Sequence, residues 1–135
     1  MKLKRFLSAV VAVFLVQAVI EFLIHGVWLS GLYRQTAYLW RPVEAMRSFG
    51  WLMYSAYAII ALVFTFIYTK GYETDKLGLT QGIRFGILIG FLQSVPMAFM
   101  CYATMPIPAS LAAGWFIGGM IEMAACGVAV GLIWK

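Results

Sequence analysis

The sequence predicts an all-α integral membrane protein, a bundle of four transmembrane helices forming a single domain over residues 1–135. Three observations predict it. Hydrophobic residues make up 64% of the chain and charged residues only 11%, about half the charged share of a soluble domain. The apolar residues fall into long blocks, each able to supply the roughly 20 residues that cross the hydrocarbon layer. None of these blocks alternates apolar with polar, as the shorter strands of a membrane barrel would.

The first block covers residues 6–29. Lys2, Lys4 and Arg5 precede it, and Gln17, Glu21 and His25 interrupt it. Its start resembles a signal peptide, but the apolar run outlasts a signal and no small-x-small site leads into a polar stretch, so a retained helix is expected. The second block, residues 49–68, holds no charge. The third covers residues 83–102 and the fourth residues 109–134, with Glu122 near its middle.

The connections differ in character. Residues 30–48 carry Tyr33, Arg34, Tyr38, Trp40, Arg41 and Arg47, a composition suited to the headgroup level. Residues 69–81 form the only plainly hydrophilic loop. Residues 103–108 hold Pro106 and Pro108, which predict a tight turn and an antiparallel hairpin of helices three and four.

Charge predicts orientation. Lys2, Lys4, Arg5, Lys70, Lys76, Arg84 and Lys135 fall on one side, against Arg34, Arg41 and Arg47 on the other. The basic-rich side is cytoplasmic by the positive-inside rule, which puts both termini there. The net charge of +5 comes from residues that flank apolar blocks. It suits anionic lipid headgroups, not nucleic acid. Cys101 and Cys126 both lie in apolar segments, so no structural disulfide is expected.

Helix packing is also legible. Gly82, Gly86, Gly90, Ser94 and Ala98 recur every four residues and line one face of helix three. Such a face permits the close backbone contact that drives association in lipid. Helix four is equally rich in small residues, among them Gly114, Gly118, Gly119, Gly127 and Gly131. Pro96 predicts a kink in helix three. Helix two, with Trp51, Tyr54, Tyr57 and Phe64, is expected to face lipid.

The candidate site comes from charge in the wrong solvent. Glu21 and Glu122 lie at membrane depth, where a charged side chain costs several kcal/mol and marks a functional position. His25 follows Glu21 by four residues, and Gln17 precedes it by four, so the three share a helical face. Helices one and four run in opposite directions, so the two acids reach similar depth. Two carboxylates in a medium of low dielectric cannot easily both ionise, and such a pair is expected to hold a proton.

The surroundings of the two acids are alike. Ile20-Glu21 is followed by His25-Gly26-Val27, and Ile121-Glu122 by Cys126-Gly127-Val128. Two Glu, one His and one Cys would suit a transition-metal ion such as zinc or iron, although a polar helix contact needs no metal. Met97, Met100, Met105, Met120 and Met123 are a further, softer set that would suit copper(I), or simply fill core gaps.

Residues 21–26, Leu39-Trp40-Arg41-Pro42, the glycine face of helix three, Met105-Pro106-Ile107-Pro108 and Gly114-Trp115-Phe116 together resemble small four-helix bacterial membrane proteins of the domain-of-unknown-function class. The resemblance covers nearly the whole chain and implies a bacterial inner membrane. It implies no activity.

Three functions are therefore weighed. The first is a homo-oligomeric transporter, channel or sensor that handles protons, a metal ion or a small polar solute at Gln17, Glu21, His25, Glu122 and Cys126. The second is an accessory or assembly subunit of a larger membrane complex. An enzyme ranks last, because no nucleophile–base pair is visible.

Overall fold

The computed structural model describes residues 2–135, and among these the chain is all-helical, with no strand. Four helices are long and apolar enough to cross a membrane: α1 (Lys2–Trp28), α4 (Gly50–Lys70), α5 (Gly78–Thr104) and α6 (Ala109–Ile133). Two short helices, α2 (Ser30–Gln35) and α3 (Val43–Ser48), fold the connection between α1 and α4. The third span starts earlier than the hydropathy suggests. Leu77 ends the loop in extended conformation, and residues 78–82 already wind as helix.

α6 is the central helix. One of its faces meets α5 backbone to backbone, with Gly131 against Gly78, Gly127 against Gly82, and Met123 against Gly86. A methyl group placed on Gly82 would overlap the carbonyl of Gly127, and one on Gly86 would overlap the carbonyl of Met123. Small residues are thus required there by contact, which explains their four-residue spacing. Higher up, Gly90 faces Met120 and Ser94 faces Gly119.

The other face of α6 takes α1. Gly118 accommodates Ile24, and Gly114 accommodates Leu29. Gly118 therefore serves a different helix from Gly119. At the opposite end, Arg5 donates to the Lys135 carbonyl at 2.7 Å. The order of these contacts runs α1 and α6 past each other in opposite directions.

α4 packs against α1. Ala61, Phe64, Thr65 and Tyr68 are buried, and they join Ala9, Val13, Met123, Cys126 and Val130 in one core. Tyr68 donates to the Gly78 carbonyl at 2.9 Å and packs on Phe85. Trp51 and Tyr54 point outward, as expected of a lipid-facing helix. Phe64 corrects that expectation: it is buried against Phe85 of α5.

Two of the long helices change pitch. α1 is α-helical to Glu21 and π-helical over Phe22–Trp28, where the Leu29 amide donates to the Ile24 carbonyl at 2.8 Å. α5 turns π-helical over Pro96–Met100, because proline has no amide hydrogen to continue the α ladder. Both changes lie at the same end of the bundle, where Ile24, Leu29, Ala98, Ile107, Leu111 and Trp115 form a second core.

Outside these cores the long helices are sheathed in exposed Leu, Val, Ile, Phe and Met. Water does not tolerate an apolar surface this continuous on a monomer, whereas lipid does.

Candidate functional site

Glu122 is 2% exposed and Gln17 is 1% exposed, the two deepest long polar side chains of the bundle. They face each other across the α1–α6 seam. The Glu122 carboxyl lies beside the Glu21 carboxyl and the Gln17 amide. One oxygen of Glu122 and the Gln17 carbonyl oxygen lie buried with no partner. The two acids named by the sequence thus meet, one from each helix.

Glu21 leads outward from this pair. Its Oε2 lies 3.4 Å from His25 Nε2 and 3.4 Å from the Tyr57 hydroxyl of α4. The His25 side chain is 37% accessible, against 22% for Glu21. Its other nitrogen, Nδ1, lies 2.5 Å from the Tyr33 hydroxyl. Trp115 Nε1 donates to the same hydroxyl at 2.6 Å.

These contacts have a direction. An indole N–H can only donate, so the Tyr33 oxygen accepts from Trp115 and its own hydrogen is free to go to His25 Nδ1. In that arrangement a neutral His25 carries its proton on Nε2, facing Glu21. If His25 is protonated, Nδ1 donates to Tyr33 instead, and the oxygen accepts twice. Tyr33 is held above the ordinary tyrosine value chiefly by burial, with the Trp115 hydrogen bond opposing and the Glu21 charge adding. It stays neutral, so it can both donate and accept.

The π-helical pitch sets this geometry. His25 sits inside the wide turn of Phe22–Trp28. Such turns are rare and recur at functional sites. The residues beyond it form a cap: His25, Tyr33, Trp40 and Trp115 follow one another with ring centroids 5.7, 5.6 and 6.2 Å apart. Trp40 donates to Thr36 Oγ1 at 2.9 Å, which fixes the loop under α2.

No protein-family model, curated protein or solved structure matches the chain.

Cys126 stands apart from the row. It is fully buried one turn below Glu122, and its thiol points to the Val13 carbonyl at 3.9 Å. It therefore does not converge with His25. Among the described residues no three His, Cys, Asp or Glu side chains are grouped to hold a metal ion, so the mixed transition-metal set drawn from the sequence is not assembled. The methionines are dispersed too: Met97 and Met100 lie on the outer surface of α5, while Met123 is buried in the core.

Tyr33, Tyr57 and Trp115 are not among the site residues the sequence points to: it puts Tyr33 at headgroup level and Tyr57 on a lipid-facing helix. Aromatic residues near span ends look alike whether they form an interfacial belt or a site. The one available signal was position: Trp115 lies seven residues before Glu122, two helical turns along the same face of α6.

Proposed function

We propose that this chain is a four-span protein of the bacterial inner membrane that passes or senses protons along the row Gln17–Glu122–Glu21–His25–Tyr33. In this reading both termini are cytoplasmic, and α5 and α6 form an antiparallel hairpin within the membrane. The observation that carries the proposal is the contact of Glu122 with Glu21, continued through His25 to Tyr33.

Each member has a role in the row. Glu21 and Glu122 are two bases side by side in a low dielectric, and the pair holds a proton between them in this reading. His25 can take a proton on one nitrogen and release it from the other. Tyr33 and Trp115 orient the ring. The partly exposed His25 and Glu21 give the row one opening, and Gln17 and Glu122 form its closed inner end.

The test is proton flux in proteoliposomes, read by a trapped pH-sensitive dye. The wild type should dissipate an imposed pH gradient faster than empty vesicles. Glu122→Gln keeps the shape and removes the titrating group, so it should fold and lose that flux. Equal flux from both proteins would leave the pair as a strut between helices.

A second reading, a homo-oligomer or a place within a larger membrane complex, is favoured by Gln93. This amide is exposed midway along α5, where lipid offers it no partner. Gln93→Leu should then reduce the size of the particle on a detergent column.

A further inference from the structure

The end of the bundle opposite the proton row carries a different feature. Two adjoining shallow depressions lie on the surface beside the start of α5. One, of about 260 Å³, is lined by Lys76, Leu77, Thr80, Gln81 and Arg84. The other, of about 360 Å³, is lined by Thr80, Ile83, Arg84, Ile87 and Leu88. Thr80 and Arg84 belong to both, so together they make one groove with a basic polar head and an apolar tail.

The groove lies on the outer surface of the bundle. Ile83, Arg84, Ile87 and Leu88 are exposed, while Gly82, Gly86 and Gly90 of the same helix are buried against α6. From Thr80 to Leu88 the helix rises roughly 12 Å, which carries the groove from headgroup level into the depth of acyl chains. A soluble anion would use only its head. An acidic lipid would use its whole length.

We propose that this groove binds one acidic glycerophospholipid, its phosphate held by Arg84, Lys76 and Thr80 and one acyl chain laid along Ile83, Ile87 and Leu88. Charge complementarity selects the headgroup. Glu73 occupies the two cations: it pairs with Lys76, and its other oxygen lies 3.6 Å from Arg84. Glu73 is held in place by Gln81, whose side chain accepts from the Glu73 amide and donates to its carbonyl, each at 2.9 Å. Glu73 is thus a built-in competitor for the lipid phosphate, and Arg84, the looser of its two partners, is the cation the lipid takes first.

The experiment is a calorimetric titration of the detergent-solubilised full chain with short-chain phosphatidylglycerol, short-chain phosphatidylcholine and inorganic phosphate. Phosphatidylglycerol should bind more tightly than either of the others. Arg84→Gln should weaken phosphatidylglycerol roughly five-fold, the loss expected for one basic residue near a lipid surface, and leave phosphatidylcholine unchanged. Glu73→Gln, in an exposed loop, should tighten phosphatidylglycerol. Arg34→Gln, at the other end of the bundle, should change nothing. Equal binding of the two lipids would overturn the proposal, as would phosphate as tight as phosphatidylglycerol. So would a Glu73→Gln variant that binds no better than wild type.

Discussion

Glu122 of α6 and Glu21 of α1 meet side chain to side chain inside the bundle, and only Glu21 has a route outward, through His25. One acid is enclosed and the other is partly open, and the proposed proton path rests on that asymmetry.

The orientation of His25 is the first consequence to test. Trp115→Phe removes the donor to Tyr33 and should cost about 1 kcal/mol, the usual net worth of one hydrogen bond. It also leaves the Tyr33 oxygen without its other donor, a better acceptor for an Nδ1–H, so the second imidazole tautomer should gain population. Nitrogen-15 NMR of the His25 ring should show Nε2 protonated in the wild type and a mixture in Trp115→Phe. One unchanged tautomer in both proteins would contradict the directional row.

Glycine substitutions should separate contact from composition. Gly82→Ala and Gly86→Ala each drive a methyl group into a backbone carbonyl of α6, and each should cost about 2 kcal/mol or more, in the range of core overpacking. Gly90→Ala meets the flexible Met120 thioether at 3.1 Å and should be far milder. Thermal unfolding in detergent gives the comparison. Equal losses at Gly86 and Gly90 would show that the register described here is wrong.

Topology can be read by labelling with an impermeant thiol reagent in a background where Cys101 is replaced by Ser. The best outer reporter is Tyr38→Cys, because Tyr38 is 76% exposed, whereas Thr36 is buried and bonded to Trp40. Tyr38→Cys should react in intact cells, and Thr74→Cys should resist. The reverse pattern would place the termini outside.

The loop before α5 should respond to acid. Lys76, and then Arg84, hold the Glu73 carboxyl below the ordinary carboxylate range. A lowered folded value means the pairing contributes above the unfolded value and is lost as pH falls through the folded one. The wild type should therefore exceed Glu73→Gln in stability at neutral pH, by a small margin because the group is exposed, and that margin should close on acidification. A margin independent of pH would show that the carboxylate is not what matters.

Much of this fold was written in the hydropathy. Four apolar runs are visible without a structure, and the span limits shift by only a few residues, most at Gly78, where Leu77 rather than a polar residue ends the loop. The four-residue spacing of Gly82, Gly86 and Gly90 gave away a contact face, because only backbone proximity demands it. Which glycine of α6 served which neighbour was not legible: Gly118 and Gly119 are adjacent in sequence but face different helices.

Half of the candidate site was legible for a similar reason. Glu21 and Glu122 stand out because lipid penalises charge, and helical spacing ties Gln17 and His25 to Glu21. The partners of His25 were hidden. Tyr33 arrives from a connecting helix, and its position depends on the wide turn at Phe22–Trp28, which no local residue pattern announced. Cys126 misled, since a repeat of Glu and a ligand four residues on looks the same whether or not the ligand points at its neighbour.

Whether Glu21 and Glu122 hold a proton between them is open to direct measurement. Infrared spectroscopy of the protein in heavy water resolves a protonated carboxyl group from carboxylates. The wild type should show one protonated carboxyl buried from exchange that persists near neutral pH, and Glu122→Gln should lose it while keeping its helical content. A wild type without that absorption, or a Glu122→Gln variant that retains it unchanged, would contradict a proton held between Glu21 and Glu122.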